Sequence, residues 1–225
     1  MPRTRLALAL AVLLSLSAPA LAHEQHQDID KINGSITAEA GQTYGDLETV
    51  NGSIRIEANA RVGEAETVNG SIHAESDIHA RSLTTVNGGI RVGTQAQIEG
   101  GIETVNGSVF VDRGGNVGRG VETVNGAIGL VDTDLGGGID TVNGDITVGA
   151  GSHVKGGIHV EKPGQQWFSM GKRKPPRIVI GPNAQVDGAL VFEREVKLYV
   201  HRTAKIGAVS GTTAVRYDGD RAPGD

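Results

Sequence analysis

Cysteine is absent from this chain of 225 residues, and aromatic residues make up only 3% of it. Without cysteine there can be no disulfides, no thiolate metal sites and no lipid-modified cysteine. So few aromatic side chains are unusual for a globular domain with one thick core. A membrane-spanning helix is not expected either, because the apolar run Leu6–Leu16 is shorter than the ~20 residues that such a helix needs.

The first 22 residues have the features of a secretory signal peptide. Arg3 and Arg5 form a basic start, the apolar run follows, and Ala20–Ala22 has the small-x-small pattern of a cleavage site. We predict cleavage after Ala22 and a periplasmic or secreted protein. Removing the two arginines changes the formal charge from −5 to −7, which argues against binding to nucleic acid or to an anionic membrane.

Glycine is abundant, with 34 residues, and much of it lies in a repeated motif, Thr-Val-Asn-Gly-Ser-Ile, found unchanged at Thr49–Ile54 and Thr67–Ile72. Its Asn-Gly pair recurs at spacings of 18, 18, 18, 19, 19 and 18 residues. A fixed period of this length indicates a stacked-repeat architecture. The seven pairs are Asn33 and Gly34, Asn51 and Gly52, Asn69 and Gly70, Asn87 and Gly88, Asn106 and Gly107, Asn125 and Gly126, and Asn143 and Gly144.

Apolar residues recur at fixed offsets from the Asn, namely −4, −1, +3, +5 and +11, with Tyr44 and Gly136 as exceptions at +11. The β-branched pair at +3 and +5 has the period-two alternation of a strand with one buried face. One such unit cannot bury its own apolar face, but stacked on its neighbours it forms one coil of a solenoid. We predict three short strands per coil, with corners at Asn-Gly, near +8 and at the Gly-rich end.

The predicted fold is all-β, a single-stranded parallel β-solenoid of about nine coils of 18–19 residues. A right-handed coil follows from the general bias of parallel crossovers. Asn-Gly is also a hairpin signal, but hairpins would make the flanking strands mirror partners, whereas this unit repeats head to tail. We expect Gly to supply a positive φ at the corner, and the Asn amides to pair along the stack.

The pattern continues beyond the last Asn-Gly, since Ile146, Val148 and Val154 are matched in spacing by Ile178, Ile180 and Val186. An insertion, Pro163–Pro176, stands where the next Asn-Gly should be. The predicted organisation is a signal peptide at 1–22, a lead-in at 23–28, regular repeats at 29–161, an inserted loop at 162–176, C-terminal coils at 177–210 and a disordered tail at 211–225.

The inserted loop is the compositional outlier and the candidate partner-binding segment. Aromatic residues beside a basic cluster suit docking to a partner protein, an anionic glycan or a membrane surface. The alternative is that the aromatic residues fold back to brace the solenoid while the basic residues are merely solvated. The candidate residues are Trp167, Phe168, Met170, Lys172, Arg173 and Lys174.

Two polar columns invite a ligand hypothesis. Acidic residues at −3 could hold calcium, but one acid per coil supplies too few ligands, and a solvated acidic stripe is favoured. Threonines at −2 could form an ice-binding ladder, although β-propensity explains them as well. The acids are Asp30, Glu48, Glu66, Glu103, Glu122 and Asp140, and the threonines are Thr49, Thr67, Thr85, Thr104, Thr123 and Thr141.

Catalytic and metal-binding motifs are not found in the sequence. There is no Ser-His-Asp order, no His-x-x-x-His and no Gly-rich phosphate loop followed by a helix. His23 and His26 could bind a metal weakly, but nothing beside them supports a site. We therefore predict no catalytic residue, no metal and no cofactor.

Two family resemblances also indicate a β-solenoid. The Val-Asn-Gly-Ser-Ile units, such as Val50–Ile54, resemble a secreted bacterial adhesin family of β-strand-repeat proteins. The C-terminal coils Ile180–Gly188 and Val200–Gly207 resemble bactofilins, the polymer-forming cytoskeletal β-helices. These resemblances imply a β-solenoid and bring no catalytic site. Bactofilins are typically cytosolic, so the signal peptide and the insertion depart from their pattern.

We therefore expect a non-catalytic, periplasmic or secreted β-solenoid that acts as a structural, scaffolding or adhesion module through its faces, its ends or its inserted loop. The expected partner is another copy, by end-to-end or face assembly, or a cell-envelope protein or glycan. The alternatives are a polysaccharide-binding or polysaccharide-active solenoid and an ice- or surface-binding solenoid.

Overall fold

The computed structural model describes residues 27–163, 174–219 and 221–224, so the predicted signal peptide lies outside the described residues, as do His23 and His26. All regular elements in the described ranges are β-strands, and neighbouring strands pair in parallel. The predicted parallel β-solenoid is confirmed. In chain order the strands are β1 Ile29–Asn33, β2 Ile36–Ala38, β3 Leu47–Asn51, β4 Ile54–Ile56, β5 Arg61–Asn69, β6 Ile72–Ala74, β7 His79–Asn87, β8 Ile90–Val92, β9 Gln97–Ile98, β10 Ile102–Asn106, β11 Val109–Val111, β12 Asn116–Val117, β13 Val121–Asn125, β14 Ile128–Leu130, β15 Asp134–Leu135, β16 Ile139–Asn143, β17 Ile146–Val148, β18 His153–Val154, β19 Ile158–Val160, β20 Arg177–Ile180, β21 Gln185–Val186, β22 Leu190–Phe192, β23 Lys197–His201, β24 Lys205–Ile206, β25 Val209–Ser210 and β26 Val215–Tyr217.

The strands form two sheets. The second sheet has ten strands, one from each turn, in the order β2-β4-β6-β8-β11-β14-β17-β20-β23-β26. The first sheet has 16 strands, because it contains both the strands that end at the Asn and the short strands near +11. These two columns join through β5 and β7, each nine residues long. In the described residues the eight inner turns thus contribute to three strand columns and the first and last turns to two. Ten turns at ~4.8 Å give a rod of roughly 45 Å.

The core is a single column of small β-branched and aliphatic side chains between the sheets. Residues at −4, +3, +5 and +11 point inward, and Leu47, Ile54 and Ile56 in one turn are completely buried. Strand alternation sends positions −3 and −1 to the outside. The apolar column at −1 is therefore an outer column, not part of the core.

The glycine of the Asn-Gly corner has another role than the sequence indicated. A left-handed φ occurs there only at Gly34 (111°) and Gly126 (154°), so the expected positive φ is wrong for the other five pairs. A Cβ added at Gly70 would instead overlap the carbonyl oxygen of Gly52 in the preceding turn. The left-handed residues lie at the +8 corner, where Asn59 has φ 62° and Asp77 has φ 59°.

The C-terminal segment also differs from the expectation. We expected residues 211–225 to be disordered, but β26 pairs with β23 and completes a tenth turn instead of the expected nine. The Tyr217 ring is buried and lies edge-on to His201, with ring centroids 5.1 Å apart. The sequence gives no apolar period here because the open edge of β23 offers backbone hydrogen bonds to any extended segment.

Both ends of the described solenoid carry a large polar side chain in an inward column. Tyr44 replaces the small +11 residue of the first turn, and its hydroxyl accepts a hydrogen bond from the Glu39 N–H at 3.2 Å. At the other end, Arg216 is in register with Val200, and its Nη1 donates to the carbonyls of His201 and Ala204 at 3.4 and 3.5 Å. Such capping turns keep repeat proteins soluble.

Candidate binding face

The outer surface of the Asn-ended strands forms a continuous two-column face, which we call the acid–valine face. In each strand the −3 and −1 side chains point outward while −4 and −2 point inward. Parallel in-register pairing then aligns equivalent side chains along the rod. Its −3 column is Asp30, Glu48, Glu66, Thr84, Glu103, Glu122 and Asp140, and its −1 column is Ile32, Val50, Val68, Val86, Val105, Val124 and Val142.

The aliphatic column is accessible along its full length. Ile32 is 73% exposed and Val50 is 37% exposed, while the five remaining valines are partly buried. Six steps of ~4.8 Å give an apolar strip roughly 29 Å long. Single apolar side chains on a protein surface are ordinary, but a contiguous strip marks an interaction surface more often.

The acidic column is poorly neutralised. Burial raises the pKa of Glu66 and Glu122, and neighbouring carboxylates add to the rise, with Glu48 the largest of these for Glu66 and Glu103 for Glu122. Burial likewise raises the pKa of Asp140, and the imidazole of His159 opposes it. Within the described ranges, Asp140 is the only carboxylate of this column with a basic side chain within 4 Å, namely His159, whose Nδ1 lies 3.5 Å away.

A second acidic row lies beside the column in the first three turns. Asp28, Asp46 and Glu64 occupy position −5. Arg81 approaches this row loosely, with its Nη1 3.9 Å from Asp46 and 3.8 Å from Glu64. Both row and column therefore place excess negative charge at the N-terminal end of the acid–valine face.

The Asn side chains border the face as a stacked amide ladder. Each Nδ2 donates to the Oδ1 of the Asn in the preceding turn at 3.0–3.2 Å. The last acceptor, Asn143 Oδ1, receives a hydrogen bond from Arg194, which also donates to the Val142 carbonyl at 3.0 Å. The ladder thus has a structural role, fixing the register of the turns.

The threonine column is inside the solenoid. Its members are only 1–4% exposed. The Oγ1 of Thr67 donates to the Gly52 carbonyl at 2.8 Å, and four other threonines repeat this bond. These threonines hold the Asn-Gly corner of the preceding turn, so they do not form the exposed plane that an ice-binding ladder requires.

A second surface feature is a shallow recess of about 270 Å³ on the outer side of the second sheet. It opens at Gly93, between Glu75 and Asp112. Glu75 is already bound by Arg55 at 3.0 Å and by His73 at 3.2 Å. The guanidinium of Arg91 lies over the Phe110 ring, 4.7 Å from its centroid.

The inserted loop lies largely outside the part of the chain that the structure describes. Trp167, Phe168, Met170, Lys172 and Arg173 lie outside the described residues, and Lys174 is exposed. The flanks of the loop are placed, however. The backbone N–H of Lys162 donates to Glu193 at 3.3 Å, and that of Arg177 donates to Asp145 at 2.7 Å. The loop therefore starts and ends at the Asn-Gly corner, next to the acid–valine face.

Sequence reasoning missed the acid–valine face because it grouped the −1 residues with the other apolar columns. The alternation of side chains along a strand could have revealed this face. Positions −4 and −1 are three residues apart, and residues separated by an odd number lie on opposite faces of a strand. Because −4 is inward, the −1 aliphatic residues and the −3 acids must share the outer face.

The described ranges contain no cluster of metal ligands and no membrane-spanning helix. No group of three or more His, Asp or Glu side chains there is arranged to hold a metal ion. None of the described elements is a helix long and apolar enough to cross a membrane. Comparisons with family models, with curated proteins and with solved structures gave no match to this chain.

Proposed function

We propose that this protein is a non-catalytic, periplasmic or secreted β-solenoid that serves as a scaffolding or adhesion module and binds its partner through the acid–valine face. One observation carries the proposal: a straight strip of seven aliphatic side chains is held on the outside of the rod, between a carboxylate column and an amide ladder. A rigid, repetitive face of this kind suits a large partner surface better than a small molecule.

The capped ends favour lateral binding over end-to-end assembly. Tyr44 at the first turn and Arg216 at the last turn cover the core with polar atoms that hydrogen-bond within the chain. A turn docking on such an end would have to displace these bonds, and buried polar atoms without partners are costly. The sides of the rod are therefore the better surface for a partner than its ends.

Polysaccharide binding is the second candidate, and the recess at Gly93 favours it. Arg91 and Asp112 line the recess with one donor and one acceptor group, as a sugar hydroxyl would need. The recess is open and shallow, and its Glu75 carboxylate is already engaged by Arg55 and His73. Binding there would be weaker than at an extended face.

The test is binding of the mature protein to cell envelopes isolated from the same cells. Val86→Asp with Val105→Asp places two charges in the middle of the aliphatic strip, and we expect loss of binding by roughly tenfold or more, as for the centre of an interface. The matched control is Thr37→Asp with Thr147→Asp, at exposed positions on the second sheet. If both double variants bound envelopes equally well, with unchanged melting temperatures, the acid–valine face would not be the binding surface.

Two further variants test the other candidate binding sites, the recess and the inserted loop. Arg91→Ala should reduce retention on envelope polysaccharide if the recess is the site, and should leave envelope binding unchanged if the acid–valine face is. Trp167→Ala with Phe168→Ala tests the inserted loop in the same assay. A product released from a polysaccharide panel by the wild-type protein would contradict a non-catalytic role.

A further inference from the structure

We infer that the partner of the acid–valine face is a basic β-sheet surface of another protein, in which Lys or Arg columns lie beside an aliphatic column. The inference rests on the proposed function, because it names the chemistry of the partner for the same face. Three features of the described residues lead to it: charge, exposure and spacing.

The charge requires a cationic partner. In the first three turns six carboxylates, at −5 and −3, are exposed or half-buried, with the −3 residues on the strands and Asp28 and Asp46 directly before them. The only cation that approaches them among the described residues is Arg81, at 3.8–3.9 Å and largely exposed. The same face of a second copy would meet this face with like charge, whereas a basic surface complements it.

The exposure requires that the partner also be apolar. The aliphatic residues most open to solvent, Ile32 and Val50, lie in the same turns as the six carboxylates. A partner that matched charge alone, such as a hydrated polycation, would leave this strip in contact with water. Covering it with aliphatic groups adds the hydrophobic contribution to the ionic one.

The spacing requires a partner sheet. Positions −3 and −1 are about 6.8 Å apart along each strand, β5 extends this spacing to −5, and along the rod each position repeats at ~4.8 Å. A second β-sheet with its strands nearly aligned has the same two spacings, and aligned sheet packing is a common arrangement. One strand of the partner would then present basic, basic and aliphatic side chains in succession on one face.

The probe is a set of immobilised peptides that present this pattern. The peptide repeat Lys-Ser-Lys-Ser-Val-Ser has an even length, so it places Lys, Lys and Val on the same side of an extended strand in every repeat. The controls are Glu-Ser-Glu-Ser-Val-Ser, which reverses the charge, and Lys-Ser-Lys-Ser-Ser-Ser, which removes the aliphatic group. The mature wild-type protein should be retained by the first peptide, not by the second, and only weakly by the third.

The protein variants show whether the face is responsible. Glu48→Gln with Glu66→Gln should reduce retention roughly three- to tenfold, which is the effect of removing two exposed ion pairs. The matched control Glu39→Gln with Glu57→Gln removes the same charge from the +6 column and should leave retention unchanged. Val50→Ser with Val68→Ser should reduce retention to the level of the valine-free peptide. Circular dichroism of each variant confirms that the solenoid is intact.

Several outcomes would overturn the inference. If the two Glu→Gln double variants lost retention equally, the effect of charge would be non-specific. If the wild-type protein were retained equally by the valine-free peptide and the Lys-Val peptide, the aliphatic strip would not be used. Absence of retention on the Lys-Val peptide would also reject it. If envelope binding still depends on Val86 and Val105 in that case, the proposed function stands with a different partner. If envelopes are not bound at all, the proposed function fails first.

Discussion

At the scale of the residue, glycine serves two separate purposes in this solenoid. At the Asn-Gly corner it allows two backbones to stack closely, since a Cβ at Gly70 would lie 2.5 Å from the carbonyl carbon of Gly52. At the +8 corner the backbone needs a left-handed conformation, which Gly41 adopts without strain and which Asn59 and Asp77 also adopt. Only the first purpose depends on the neighbouring turn.

Gly70→Ala is therefore expected to destabilise the protein strongly. The added methyl group meets backbone atoms of the preceding turn, which cannot move aside as a side chain could, and such overpacking costs about 1–3 kcal/mol or more. Chemical denaturation followed by circular dichroism would measure the loss.

Two substitutions serve as controls for Gly70→Ala. Gly219→Ala places its Cβ no closer than 3.6 Å to the nearest atom, Arg221 O, and should be nearly neutral. Asp77→Gly removes the strain of a left-handed Asp but adds chain entropy, so it should change stability by less than about 1 kcal/mol. If Gly70→Ala were as mild as these controls, close stacking would not be the reason for the glycine.

The acidic column sets a pH dependence at the scale of the element. Burial and neighbouring carboxylates raise the pKa of Glu66 and Glu122 above the ordinary 4.5. The folded protein then binds more protons than the unfolded chain just above pH 4.5, so the stability of the fold falls as pH rises through that window. These carboxylates thus oppose folding at neutral pH.

Glu66→Gln with Glu122→Gln should raise the melting temperature at neutral pH and flatten its dependence on pH above 4.5, as measured by thermal denaturation at a series of pH values. The contribution of Asp187 to the pH dependence of stability has the opposite sign. Hydrogen bonds from Gln185 and His153 lower its pKa below 3.8, so this contribution is lost as pH falls. Asp187→Asn should instead flatten the loss of stability below that pH. A Gln pair with the wild-type pH profile would contradict the assignment.

At the scale of the whole molecule, the ends of the solenoid determine whether an edge strand is open to pairing with another chain. The tenth turn covers the edge of β23, and the chain beyond it lies against Val179 and Tyr199, where Arg177 donates to the Ala222 carbonyl at 3.3 Å. An uncovered edge strand is a template for pairing with another chain. We therefore expect the C-terminal segment to act as a cap that limits pairing between rods at this end.

Deletion of residues 212–225 should produce oligomers that grow with protein concentration, because it exposes the edge of β23 together with the apolar contact. Size-exclusion chromatography with light scattering would detect them. Val215→Ser is the matched control, since that side chain is 52% exposed and its change leaves the backbone pairing intact. A truncated protein with the same mass as the full chain would show that the segment is not a cap.

Much of the fold could be predicted from the sequence, and particular residues show where prediction stops. The Asn-Gly period placed the corners and the recurrent columns, because in-register stacking must repeat the sequence in space. The tenth turn could not be predicted from Val215 and Tyr217 alone, since an open sheet edge specifies the backbone and not the side chains. The candidate loop was chosen for its composition, whereas the acid–valine face depends on the side of the strand on which each residue lies.

The sequence by itself determined the architecture of this protein: the all-β class, the parallel stack, the amide ladder and the three columns per turn. A short unit that cannot bury its own apolar face has to stack on copies of itself, so the repeat alone is sufficient. Only the tertiary structure decided why the corner needs glycine and how the ends are closed. Each of these depends on contacts between turns, and distances across turns are set by backbone packing that a single repeat does not contain.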